Sequence, residues 1–311
     1  MAEPSQWPEL PLSAWSESCE TLHRWTQVVG KIQLALTPLV NHWWNVTQLV
    51  TARGLTTPPL PFAGGTFSIA FDFVDHRLSL TTSTGACEEL ALTAMSVADF
   101  YAEVMARLER HHIKAQIWTM PSEIAGAVAF EHDRAHAQYD PVWVQRFWQT
   151  LAQSDRVLKE FRARFIGKAS PVHFFWGSFD LAVTRFSGRT APPPTGSTPN
   201  VAAWVMQEAY SHEVASCGFW PGNGGYGRAA FYAYAYPEPE SYAAATLRTA
   251  AAFYDQGLGQ FILPYDAVRT ASDPDRVLLG FLEETYVAAA ELAHWDRRAL
   301  ERCPGMGPSP R

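Results

Sequence analysis

FSIAFDFVDHRLSLTT, residues Phe67–Thr82, places Phe67, Ile69, Phe71 and Phe73 at period two and follows them with a second extended run from Arg77. Side chains leave a strand on alternate sides, so this spacing predicts a strand with one buried face. A neighbouring run so close in sequence predicts an antiparallel partner. Upstream, Leu22, Trp25, Val28, Val29, Ile32 and Leu36 recur at helical spacing, which predicts one long amphipathic helix from about Trp15 to Leu36. His42 to Arg53 reads as extended. Downstream, Ser96 followed by Asp99 forms a capping box ahead of Val97, Phe100, Tyr101, Val104 and Leu108, a helix running to His111. A strand over Lys114 to Met120 closes this part.

A second set of elements begins at Asp140-Pro141, an aspartate cap followed by proline at the first helical position. Val144, Trp148, Leu151, Leu158, Phe161 and Phe165 mark the buried stripe of that helix. Strands are predicted over His173–Phe186, Trp204–Ser216, Ala230–Tyr236 and Gln260–Arg269. A last helix starts at Asp273-Pro274 and carries Val277, Leu278, Phe281, Leu282, Tyr286 and Leu292. The fold class is therefore α+β: antiparallel sheets with packed helices, in two pseudo-repeated halves. The divisions are an N-terminal arm (1–14), a first half (15–138), a second half (139–303) and a disordered tail (304–311). Local echoes support a duplication: His42-Trp43-Trp44 leading to Leu49–Arg53 beside His173-Phe174-Phe175 leading to Leu181–Arg185, and Asp72 to His76 beside Glu208 to His212. Chance coincidence of two aromatic-rich strands is the competing account.

Composition narrows the class of partner. A net charge of -7 argues against nucleic acid or an anionic membrane, which need clustered Lys and Arg. Hydrophobic residues at 47% and aromatics at 13% supply a sizeable apolar interior, so disorder across the body is not expected. Cys19, Cys87, Cys217 and Cys303 lie far apart with no CxxC pair, which suits a reducing cytoplasm better than a disulfide or zinc-ribbon scaffold. No apolar run is long enough to span a bilayer.

Four strings are unusual enough to carry a resemblance: SPVHFFWGSFDLAVTRFSGR (Ser170–Arg189), EAYSHEVASCGFWPG (Glu208–Gly222), HRWTQVVGKIQLALTPLVNHWW (His23–Trp44) and QFILPYDAVR (Gln260–Arg269). Together they make the chain, from about Trp15 to Glu301, resemble the bacterial family called domain of unknown function 5996. That resemblance implies no assigned activity and brings no catalytic residue with it.

Chemistry must then supply the candidates. On a strand, Glu208, Tyr210 and His212 share one face; with His173 across from them, two imidazoles and a carboxylate would suit Zn or Fe(II) with open positions for substrate. The alternative is that each is a satisfied polar residue in an aromatic core. Glu213, on the other face, is a candidate catalytic carboxylate. Asp180, a carboxylate among aromatics beside Trp176, is expected to have a raised pKa and to transfer protons, unless it pairs with a cation such as Lys168. Arg53 and Arg185, at matching strand ends, are candidates for gripping a substrate carboxylate or phosphate, with an internal salt bridge as the plainer reading. Trp176, Tyr210 and Trp220 are candidates for lining an aromatic pocket. Gly218–Gly227 lacks the GK[ST] of a phosphate loop and reads as a hairpin connection. His132 and His136 have helix-ligand spacing but precede the helix start at Asp140-Pro141, a weak metal signal. The expected ligand is a small, partly apolar carboxylated molecule, bound either by a metal-dependent enzyme or by a non-catalytic binding protein; a structural or partner-binding role is the third reading.

Overall fold

Burial alternates along Gly65–Asp72 as the sequence spacing requires, with Phe67, Ile69 and Phe71 buried on one face. The computed structural model describes residues 6–302. It contains a first sheet of six strands: β1 (Leu49–Val50), β2 (Gly54–Thr56), β3 (Leu60–Phe62), β4 (Gly65–Asp72), β5 (Arg77–Thr82) and β6 (Cys87–Ala91). Their order is β1-β2-β4-β5-β6, with β3 also paired to β4, and every pairing is antiparallel. Helix α1 (Ser16–Leu36) and helix α2 (Val97–Arg110) pack on it through Trp25, which stacks on Phe100 at 4.6 Å. The Ser96 side chain accepts the Asp99 amide N–H at 3.1 Å, the cap that the sequence predicts.

Helix α3 (Pro141–Ala163) opens the second set, capped by Asp140 with proline at the start. Strands β7 (His173–Phe175), β8 (Asp180–Thr190), β9 (His212–Trp220), β10 (Ala230–Tyr236), β11 (Phe253–Asp255) and β12 (Gln260–Pro264) form a second antiparallel sheet, ordered β11-β12-β10-β9-β8-β7. Helix α4 (Ala203–Ala209) lies between β8 and β9 in sequence. Short helix α5 (Tyr265–Arg269), long helix α6 (Pro274–Leu292) and short helix α7 (Arg297–Leu300) complete the described chain. One face of this sheet, with Leu181, Val183, Phe219 and Phe231, joins α3 and α6 in the apolar core. The other carries Asp180, Ala182, Thr184, Ser216, Gly218, Tyr232 and Tyr234.

The structure corrects several expectations of local structure. His42–Val46 belongs to a turn of 3-10 helix in which His42 and Trp43 take left-handed angles, so extended backbone begins only at Thr47 and the strand is Leu49–Val50. Lys114–Met120 pairs with no strand. Most of Trp204–Ser216 divides into α4 and β9, which puts Glu208 on a helix. The sequence echoes consequently fall on unlike elements: Trp43 and Trp44 lie in a turn whereas Phe174 and Phe175 lie in a strand, and Asp72 is on β4 whereas Glu208 is helical. What the halves do share is a six-stranded antiparallel sheet between helices.

Helix α1 joins the two sheets. Its apolar stripe was legible, but His23, Gln27 and Lys31, spaced four apart, are buried as well. His23 stacks on Phe179 at 4.8 Å, and Gly30 lets the Trp176 ring lie so close that a Cβ there would overlap the indole. Gln48 and Phe174 exchange backbone hydrogen bonds of 3.0 and 2.9 Å, a one-residue bridge between the sheets. The arm also belongs to this interior: Trp7 is buried and lies 6.2 Å from both Phe231 and Tyr265. One apolar cluster runs from Trp7 to Trp295, so the two halves share a core. The tail from 304 lies outside the described residues, and no helix among those described is long and apolar enough to cross a membrane.

Candidate functional site

Polar side chains concentrate on the face of the second sheet that turns away from α3 and α6. The register sets Ala182, Gly218 and Tyr232 in one row and Thr184, Ser216 and Tyr234 in the next. Gly218 has no side chain, so the Tyr232 phenol lies across it; a Cβ at 218 would be 2.7 Å from that oxygen. Tyr232 thereby reaches Asp180 and donates to one carboxylate oxygen, while Ser178 donates to the other. The Tyr234 hydroxyl hydrogen-bonds that of Tyr210 at 3.0 Å, and Ser216 meets Thr184 at 2.9 Å. Asp180 is buried, and burial lifts its pKa against the pull of its two donors. The Tyr210 phenol is held far into its neutral form, first by the charge Tyr234 would carry and then by burial.

A second carboxylate arrives from the first half. Gln27 holds Ser122 in place, accepting its N–H at 2.8 Å and donating to its carbonyl at 2.9 Å. Glu123, the next residue, adopts φ 63, donates its amide to the Pro199 carbonyl at 2.8 Å, and lays its carboxylate where a side chain on Gly177 would be. Glu123 is exposed as a residue, while its carboxylate is desolvated where it lies against Gly177. That desolvation, reinforced by the Asp180 charge, raises its pKa to about 7. Its carboxylate has no hydrogen-bond or ion-pair partner among the described residues.

The segments around this polar cluster are strained. Of nine non-glycine residues with positive φ among those described, His42, Trp43, Glu123, Phe179 and Asn200 all sit in segments around it. Asn200 donates to the carbonyls of Pro121 and Ile124 at 3.0 and 3.1 Å, tying the proline-rich loop to the Glu123 segment. Helix α4 has no buried residue and rests on the turn below it. Trp43 donates to the Val205 carbonyl at 2.8 Å, and His42 donates from Nδ1 to Ala209 at 3.1 Å while Lys168 donates to its Nε2 at 2.7 Å. Burial lowers the pKa of both His42 and Lys168.

Of the residues singled out from sequence, Asp180 and Tyr210 belong to this polar cluster. The others are held elsewhere. The Glu208 carboxylate accepts the His42 amide at 3.3 Å, His212 contacts Ser211 at 3.1 Å, and His173 lies between Trp44 and Phe175 with Nδ1 buried and unpartnered. The expected His173, Glu208 and His212 ligand set is therefore not assembled, because α4 turns Glu208 off the sheet. Among the described residues no group of three His, Cys, Asp or Glu side chains is placed to hold a metal ion. Burial pushes the His173 pKa down to about 4, which keeps its ring neutral. His136 pairs with Asp133 at 2.7 Å.

Neither arginine is free for substrate. Arg53 is exposed and pairs with Asp72 and Asp75, each at 2.6 Å. Arg185 points into the core, stacked 3.4 Å from the Phe161 ring centre, donating to the Phe161 carbonyl and 3.6 Å from Glu283. Glu213 pairs with Arg189 at 2.6 Å on the far side of the strand. Trp176 donates to the Val46 carbonyl at 2.7 Å, and Trp220 stacks on Tyr226 and donates to Asn223. Glu123 and Tyr234 were missed. The one local hint was Met120-Pro121-Ser122-Glu123, a proline turn that delivers a carboxylate.

No curated protein and no solved structure matches the chain. Residues 7–302, nearly all of it, match one protein family. The chain belongs to that family of unknown function, DUF5996.

Proposed function

We propose that this protein binds a small molecule at the polar cluster on the second sheet and transfers a proton there, with Glu123 as the acid/base. The observation that carries this reading is an unpaired carboxylate, desolvated on a residue that is itself exposed, whose pKa of about 7 matches the range in which a group both gives and accepts protons at neutral pH. Asp180, buried beside it and fixed by Tyr232 and Ser178, disfavours a second charge on Glu123 and orients the phenols. Tyr210 and Tyr234 supply neutral hydroxyls that donate to or accept from a bound polar group. With two carboxylates and no arginine among the described residues turned toward them, the ligand suited to this cluster is uncharged or cationic and partly aromatic, in place of the carboxylated molecule expected from Arg53 and Arg185.

The test has two parts. Carbon-13 NMR of the side-chain carboxyls, assigned with Glu123→Gln, should give Glu123 a midpoint near 7; a midpoint in the ordinary range, about 4.3, would remove the acid/base. A thermal-shift panel of small aromatic alcohols, amines and carboxylates should show stabilisation by members of the first two groups that is lost in Tyr210→Phe together with Glu123→Gln. Stabilisation by carboxylates alone would refute the assignment of ligand charge.

A further inference from the structure

Lys31 is a buried amine that the proton-transfer reading does not use. It is 4% exposed, and its ammonium has one hydrogen-bond partner, Ser122 Oγ at 3.1 Å. No carboxylate among the described residues pairs with it. Two indoles flank it instead, Trp118 with its ring centre at 5.0 Å and Trp176 at 5.9 Å. Cation–π contact offsets part of the lost hydration, but a buried ammonium without a counter-charge favours its neutral form. Burial alone lowers its pKa, to about 8. At pH 7 that leaves roughly 300 times more free amine than an ordinary lysine carries, taking 10.5 as the reference. Trp118 is 60% exposed and forms the outer cover, so the ring nearest the amine is also one that solvent reaches.

From this geometry we infer that Lys31 is a nucleophilic amine that forms an imine with an aldehyde or ketone admitted past Trp118, the indoles selecting carbonyl compounds with a flat apolar group. The neutral nitrogen attacks the carbonyl carbon, the oxygen takes up the proton that the nitrogen gives up, and the resulting carbinolamine loses water to leave the C=N bond. No redox partner is needed. Ser122, whose hydroxyl already meets the amine, is the nearest group able to pass the proton between nitrogen and oxygen. The site stands on Lys31, Ser122 and the two indoles, and does not require Glu123 to act as proposed above.

The chain contains four lysines, Lys31, Lys114, Lys159 and Lys168, which makes the test self-controlled. The full protein is treated briefly with benzaldehyde and sodium cyanoborohydride, which traps imines as benzylamines, and is then mapped by peptide mass spectrometry. Lys31 should be modified at least tenfold faster than exposed Lys114 at pH 7, with a rate that rises through a midpoint near 8. Lys31→Arg should abolish that adduct and leave the other three unchanged. Should that variant fail to fold, the wild-type map and its pH profile decide alone. The inference is overturned if Lys31 stays unmodified while Lys114 reacts, or if its rate follows the pH profile of the exposed lysines.

Discussion

Replacing Gly30 by alanine tests the joint between the two sheets. The added methyl would lie inside van der Waals contact of three indole atoms of Trp176, a ring that is itself buried and held by its bond to the Val46 carbonyl. Overpacking of this kind costs about 1–3 kcal/mol. Displacing the indole also breaks that hydrogen bond, worth about 1 kcal/mol. Against these stands a gain of about 1 kcal/mol, because alanine is the better residue in a helix interior. The net expectation is a loss of about 1–3 kcal/mol, a fall in Tm of several degrees given the ~2–4 °C per kcal/mol of large domains. Differential scanning calorimetry with Gly30→Ala alone and combined with Trp176→Leu gives the answer. The leucine leaves room for the methyl, so in that background the alanine should cease to destabilise. If Gly30→Ala raises Tm in the wild-type background, helix propensity outweighs packing and the close α1–Trp176 contact does not hold the halves as described.

Glu123 has a folded-state pKa raised above its unfolded value, so the folded protein holds that proton more tightly and stability from this group falls as pH rises from about 4 to about 7. Urea unfolding at several pH values should show that slope reduced in Glu123→Gln; an unchanged slope would count against the raised pKa. His23 runs the other way: burial lowers its pKa to about 4, so its contribution is intact above about 6.5 and lost as pH falls toward 4. Acid unfolding of His23→Gln should therefore be less steep across that window than the wild type. His173→Phe replaces an imidazole whose Nδ1 is buried and unpartnered between aromatic rings, and should leave Tm equal or higher; a drop of several degrees would mean the imidazole has a partner after all. Dialysis against a chelator should leave Tm unchanged to within about 1 °C in wild type and in His212→Ala alike, since no three-ligand set is assembled among the described residues.

The parts of this fold legible in the sequence are those whose causes are local. Ser96, Asp140-Pro141 and Asp273-Pro274 each open a helix at the expected residue, because a cap acts within three residues of itself. Strands β4, β5 and β10 follow from their spacing or composition. Helix α4 was not legible: with no buried residue it carries no apolar stripe, and its first residues follow Ala202, which offers no side-chain cap. The site divides the same way. Asp180 was found because its aromatic flanks are adjacent in sequence. Glu123 was not, because its environment comes from Gly177 and Asp180, more than fifty positions downstream. His23, Gln27 and Lys31 did carry a signal, a polar stripe at helical spacing opposite the apolar one. It reads as a solvated face until a second sheet covers it.

The docking of Trp7 against Phe231 and Tyr265 sets an order of events during synthesis. The arm leaves the ribosome before the strand and helix that receive its indole, which come more than two hundred residues later. Throughout most of translation a large apolar ring therefore has no native seat. Closure of this corner of the interior waits for the far end of the second sheet, which makes the arm one of the last pieces to lock.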